Sequence, residues 1–390
     1  MPTRLLLLLA AACAQSPSGP ANPDDGTTDH GEPVVWPDLP DLDAAIEAEM
    51  QRSHVPGLSA CLIVGEELTW CQGYGLADLE TERAVTPETP FLLASVSKTV
   101  TATALALAWQ SDLIDLDADV DTLLSFAVDH PESPATPITP RMLASHVAGI
   151  SDNWGIMDAS YTDGGDSPIP LGEFLEDYLV PGRPHYNARR NFTSAGPGRE
   201  AEYSNIGAAV VGHLVEEATG TSFDRWCEEQ LFTPLGMGGT SWFLADMDPD
   251  TLAVPTEWRN GRHHEIGHYG FPDYPSGQLR AGAVDTARFL RAVMNGGAAK
   301  GVRVLDEATV TELLRVQHPS LDPDQGLGWY RWRLDGAVVW GHNGGESGAA
   351  TEILWWPERE MGVVVLMNAE GRWDTLEVVE RAIVEAAMAM

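Results

Sequence analysis

Basic residues are scarce. Against 58 Asp and Glu, the 390-residue chain carries 23 Lys and Arg, for a net charge of −35. So acidic a chain lacks the electrostatic footprint of a nucleic-acid binder and repels phosphate-rich partners. No nucleic-acid partner is expected. Lysine is scarcer still: Lys98 and Lys300 are the only two, and the remaining basic residues are Arg. Arg stays charged in proteins, whereas a buried Lys can shift its pKa and act as a base. Lys300 lies in "NGGAAKG", a turn-like stretch that suits a solvated charge. Lys98 lies in an apolar run, and that singles it out. Cysteine is limited to four residues, and no internal repeat is present.

What the chain does have is the material of a large core. Hydrophobic residues make up 44% and Trp numbers 13, which argues for a folded globular protein rather than a disordered one. At the N-terminus, Arg4 followed by the apolar run Leu5 to Ala12 reads as an export signal. That run is too short to span a bilayer. Cleavage has two readings. "ACA" (Ala12 to Ala14) fits an ordinary signal peptidase site, and "LAAAC" resembles a bacterial lipobox with Cys13 as the lipidated residue. Residues 15–37, rich in Pro, Gly, Asp and Ser, read as a flexible linker. A tether suits a lipid-anchored enzyme, which favours Cys13. The expected location is the periplasm or cell envelope, with that lipid as the only membrane link. Export in turn bears on Cys61 and Cys71, which flank "LIVGEELTW". A three-residue loop there pairs 64 with 68, and counting outward 61 with 71, within reach of a disulfide. Two packed free thiols is the other reading, and both stay open.

The coarse pattern is sheet, helices, sheet. Leu42 to Met50 has helical spacing behind Pro40-Asp41. Gly57 to Val64 and Leu68 to Leu76 read as strands. Ser95 to Gln110 is apolar on nearly all sides, as a helix inside a core would be. Four strand-like runs come late, "GWYRWRL", "AVVWGHN", "ATEILWWP" and "MGVVVLMN", before a helix over 374–390. The strands at both ends are expected to meet in one sheet. A mainly helical lobe, roughly 97–325, is inserted between them within a domain spanning 38–390. A site would lie where the two join.

Ser95-Val96-Ser97-Lys98 opens the apolar helix. Three-residue spacing puts Ser95 and Lys98 on one helical face, and the helix N-terminus favours developing negative charge. A Ser hydroxyl becomes nucleophilic when a base takes its proton, which a desolvated Lys can do. An ordinary helix-capping Ser with a surface Lys would have the same spacing. The context is more telling. "TPFLLASVSKTVTATALALAWQSDLIDLDADV" resembles the nucleophile segment of the serine β-lactamase and penicillin-binding protein superfamily, and looks most like the class C β-lactamases and their esterase and peptidase relatives. The likeness continues in order through "ITPRMLASHVAGISD", "AGPGREAEYSNIGAAVVGHLVEEATG", "SGQLRAGAVDTARFL" and "WGHNGGESGAATEILWWPEREMGVVVLMN".

The resemblance implies an α/β (α+β) fold: an antiparallel sheet flanked by helices, with the helical lobe described above. It implies acyl transfer through Ser95, with Lys98 and Tyr203 of Tyr203-Ser204-Asn205 handling protons and Asn205 binding substrate. Nearby positive charge is expected to lower the Tyr203 pKa. His342-Asn343-Gly344 stands where class C β-lactamases carry Lys-Thr-Gly. Gly344 and Gly345 let substrate approach the backbone, and the N–H groups of Gly345 and Ser95 form the oxyanion site. His342 replaces a fixed cation by a group expected to titrate near neutrality, which weakens a carboxylate clamp. The expectation is therefore a penicillin-binding-type peptidase or esterase acting on a small-molecule or peptide ester or amide, without cofactor or metal. A true class C-like β-lactamase is one alternative. A non-catalytic penicillin-recognising receptor is another, of a different class.

One stretch points elsewhere. "RHHEIGHYG" contains His264-Glu265-Ile266-Gly267-His268, the H-E-x-x-H pattern of zinc proteases. That pattern needs a helix, but Asn260-Gly261 signals a hairpin turn. On a strand the two His would stand about 13 Å apart. It is read as coincidence, and His146 as structural.

Overall fold

The computed structural model describes residues 36–389. Its sheet strands are β1 (Gly57–Val64), β2 (Glu67–Asp78), β3 (Arg83–Ala84), β4 (Tyr330–Leu334), β5 (Ala337–Glu346), β6 (Ala349–Trp356) and β7 (Met361–Met367). They lie in the order β4-β5-β6-β7-β1-β2-β3, every neighbouring pair antiparallel. First and last strands thus meet at the β1–β7 pair. Along β1, Leu58, Ala60 and Leu62 enter one buried cluster, and Cys61 and Ile63 enter another. Both faces are covered, which explains a continuous apolar run where a one-sided sheet would alternate.

Helices α1 (Pro40–Ser53) and α5 (Trp373–Ala389) pack together over one face, with Ile46, Leu376 and Ile383 in the cluster of Leu58, Leu354 and Val365. Three more helices matter for the site: α2 (Ser97–Gln110), α3 (Asn205–Thr219) and α4 (Ala283–Met294). Helix α4 covers the other face of the sheet, although it comes from the long segment between β3 and β4. Helix α2 is buried from Ser97 through Ala108, as its unbroken apolar pattern implies, and packs on α3. The core is continuous from the sheet through α2 and α3, and the chain from Trp36 onward is one compact unit. The expected export signal, Cys13 and the linker as far as residue 35 lie outside the described residues. Among the described residues, no helix is long and apolar enough to cross a membrane.

Cys61 and Cys71 are cross-strand partners, 4.1 Å apart at Cα and joined by a disulfide. The route to that register differs from the expected three-residue loop. The turn is Gly65-Glu66, with Val64 opposite Glu67, and Gly65 takes the left-handed φ of 59° that a tight turn requires. A bulge at Thr69 then absorbs one residue and restores the pairing. With ten residues of separation, loss of this bond should cost about 2–3 kcal/mol of stability. Urea unfolding of wild type against the Cys61→Ala/Cys71→Ala double variant measures it, and coincident midpoints would contradict it.

His264 and Glu265 lie on a short strand, Arg262–Glu265, paired with Thr256–Arg259 across Asn260 and Gly261. Both turn residues have positive φ, 55° and 77°, as the favoured two-residue hairpin demands. Glu265 is occupied elsewhere, accepting from the Leu79 and Glu80 N–H groups.

Candidate active site

The chain approaches α2 through a strained corner. Ala94 sits at φ 48°, a left-handed conformation costing a non-glycine residue about 1–2 kcal/mol. Residues Ala94–Val96 then form a 3₁₀ turn, so Ser95 lies just ahead of the α-helix proper, which starts at Ser97. Strand neighbours hold the corner. The Leu93 carbonyl accepts from Thr351 Oγ1 at 2.6 Å, and Leu93 N–H donates to the Leu279 carbonyl. Gly344 on β5 makes room for it: a β-carbon there would come within 2.4 Å of the Leu93 oxygen and 3.0 Å of the Ser95 nitrogen. Gly344 therefore seats the serine turn against the sheet.

Lys98 follows one turn later and is 2% exposed. Its ammonium donates to Ser95 Oγ at 3.1 Å, Asn205 Oδ1 at 2.6 Å and the Ser276 carbonyl at 2.6 Å. All three protons are used. Burial pulls its pKa down to about 8, while the carboxylates of Asp152, Asp273 and Glu346 limit the fall. At pH 7 about one molecule in ten would hold a neutral amine there.

Tyr203 arrives from the segment leading into α3. Its ring lies under the ammonium, 4.9 Å from Nζ to the centroid, and packs at a tilt against His146. Although 45% of the residue is exposed towards the cavity, the hydroxyl is turned inward beside Ser95. The expected lowering of its pKa is not met. Burial pushes the phenol up, and the Ser95 contact offsets only part of this. Tyr203 is a neutral phenol at physiological pH. Next to it, Ser204 caps α3 by accepting from Gly207 N–H, and Asp152 accepts from Ser204 Oγ and the Asn205 and Ile206 N–H groups. That set of bonds fixes Asn205 towards Lys98.

Ser95, Tyr203, Asn205 and Gly345 line a cavity of about 190 Å³ together with Trp154, Tyr161, Asp273 and Glu346. The structure thus brings together Ser95, Lys98, Tyr203, Asn205 and Gly345. His342 is different. It is 2% exposed, does not line the cavity, and packs edge-on against Tyr330. Burial and the Lys98 charge push its pKa down to about 3. The reading of His342 as a residue titrating near neutrality at the substrate is therefore corrected: it is a neutral imidazole behind the site. His146, likewise buried and pushed down to about 3, supports the Tyr203 ring. Sequence reasoning missed Asp152, Asp273, Glu346 and Tyr161. They come from three separate segments, Asp152 and Tyr161 from one of them, and none carries a spacing signal.

Known proteins resemble this chain over most of its length. Residues 42–388 match the family model described as Beta-lactamase. The chain is 27% identical over 346 residues to penicillin-binding protein 4 of Amycolatopsis lactamdurans, covering 83% of each chain. It is 28% identical over 214 residues to a D-aminopeptidase of Brucella canis, covering 55% of this chain and 37% of that one. Among solved structures, the octameric penicillin-binding protein homologue from Pyrococcus abyssi superposes with a TM-score of 0.74 at 21% identity, over 89% of this chain and 77% of its own.

Proposed function

The chain belongs to the beta-lactamase family, and on that premise we propose that it is a serine hydrolase cleaving esters or amides through an acyl-enzyme on Ser95. The carrying observation is the buried Lys98 ammonium donating to Ser95 Oγ, with a pKa brought down to about 8. Neutral Lys98 takes the Ser95 proton as Oγ bonds to the substrate carbonyl carbon. The N–H groups of Ser95 and Gly345 receive the developing oxyanion. Tyr203, a neutral phenol, gives its proton to the leaving group as that bond breaks, and Lys98 resupplies it. Water then attacks the ester by the reverse proton path.

A peptidase or esterase is favoured over a β-lactamase. With His342 neutral and buried, no side chain in the place of the usual cation offers a charge to a β-lactam carboxylate. The D-aminopeptidase among the relatives fits amide hydrolysis. The complete Ser95–Lys98–Tyr203 set speaks for turnover rather than for a non-catalytic receptor. We also propose that the chain is exported, as its N-terminus suggests. The Cys61–Cys71 bond supports this, because such bonds persist in oxidising compartments.

The pH profile tests the base. For a neutral ester, kcat/KM should rise with pH towards a plateau above about 8, as Lys98 loses its proton. The limb should keep its position in His342→Gln, because a neutral imidazole contributes no charge. A limb near 6.5, the ordinary histidine value, that vanished in this variant would make His342 the base instead.

A further inference from the structure

Charge around the cavity is one-sided. Asp273 and Glu346 line it, and no Lys, Arg or His does so among the described residues. Lys98 lies behind Ser95 and Asn205 with all its protons already donated. Asp273 is 2% exposed; Oδ2 accepts from Ser276 Oγ at 3.0 Å, whereas Oδ1 accepts no hydrogen bond. A buried carboxylate oxygen without a donor is costly. Glu346 is held ready at the same cavity: Oε2 accepts from the Tyr161 hydroxyl at 2.9 Å, and Oε1 from the Ser347 N–H. Tyr161 stacks on Phe271 with ring centroids 4.9 Å apart, and both line the cavity with Trp154. Both carboxylates act on Tyr161, raising its pKa after burial has done so. Burial raises both carboxyl pKa values, that of Asp273 to about 6, and an ammonium beside them would favour their charged forms; aromatic faces beside carboxylates are the chemistry that holds such a group. The volume fits a modest group: about 190 Å³ here, where a cavity of about 150 Å³ admits benzene.

We infer that the acyl group accepted at Ser95 carries a primary ammonium, seated against Glu346 and Asp273 beneath Tyr161, Phe271 and Trp154. This rests on the acyl-enzyme reading above and narrows it. An acyl group bearing a carboxylate would instead meet two acidic side chains and no free cation.

The test uses methyl esters that differ only at the charged position: phenylalanine in both enantiomers, 3-phenylpropanoic acid, and the half-ester of benzylmalonic acid. Phenylalanine methyl ester, in its better enantiomer, should exceed the 3-phenylpropanoate ester by about 10- to 100-fold in kcat/KM, the range expected for hydrogen bonds to charged groups. The carboxylate-bearing half-ester should be slowest. Glu346→Gln and Asp273→Asn should each shrink the amine-to-neutral ratio. The ratio is the readout because both acids also raise the Lys98 pKa, so removing either alters turnover of every ester. Protection of Ser95 from a fluorophosphonate by 2-phenylethylamine, compared with 3-phenylpropanoate, is measured in parallel and does not depend on turnover. Equal rates for the amine and neutral esters, or equal protection by amine and carboxylate, would overturn the inference. Ser95-dependent hydrolysis of both esters would still leave the acyl-enzyme reading standing. If no ester were cleaved and Ser95 resisted the fluorophosphonate, both would fall.

Discussion

Ser95→Ala is expected to lower kcat/KM by about four to six orders of magnitude for any ester the enzyme accepts, because a nucleophile acting within a unit cannot be partly replaced. The fold should survive. Removing one hydroxyl leaves the Lys98 ammonium its bonds to Asn205 Oδ1 and the Ser276 carbonyl. The strained Ala94 corner is held by Thr351 and Leu279, not by the serine side chain. Turnover of p-nitrophenyl esters, with a thermal unfolding scan of the same preparation, checks both halves. Retention of more than a few percent of wild-type activity in a folded variant would remove Ser95 from the chemistry.

Lys98→Arg is the second large effect. Arg keeps the positive charge that Asp152, Asp273 and Glu346 surround, but it does not release a proton at accessible pH. Acylation should fall by about three orders of magnitude or more, within the range typical of general-base loss and misplacement combined. A guanidinium must also fit a site built for three converging bonds to one nitrogen, so Lys98→Ala serves as a second variant. Small primary amines should partly restore activity to it, in proportion to their neutral fraction. Near-normal acylation in Lys98→Arg, or no rescue of a folded Lys98→Ala, would demote Lys98 to a structural cation.

Much of this site was legible in the sequence because the background was unusual. In a chain that uses Arg at nearly every basic position, a Lys three residues after a Ser in a buried helix stood out. The strands at both ends were legible from their apolar runs, and Asn260-Gly261 revealed the hairpin that disqualified His264 and His268. The Cys61–Cys71 disulfide was one of two open readings, and it was reached through a different turn, because a bulge at Thr69 leaves no compositional mark. His342 was misread for a physical reason. Its position on β5 could be inferred, but the rings that bury it, Tyr203 and Tyr330, come from separate segments. The same holds for the acids. Asp152, Asp273 and Glu346 are assembled only by the fold, and each alone is an ordinary Asp or Glu in a strongly acidic chain. The left-handed Ala94 was equally silent, since Ala carries no preference for that conformation.

The central claim is a covalent acyl-enzyme on Ser95. Its most direct test is rapid acid quench of the protein during turnover of a p-nitrophenyl ester, followed by mass analysis of the proteolysed chain. The expected result is one acyl mass increment on the peptide that contains Ser95, formed at least as fast as kcat and absent from Ser95→Ala. Turnover without any adduct, or an adduct on a peptide that lacks Ser95, would contradict the account.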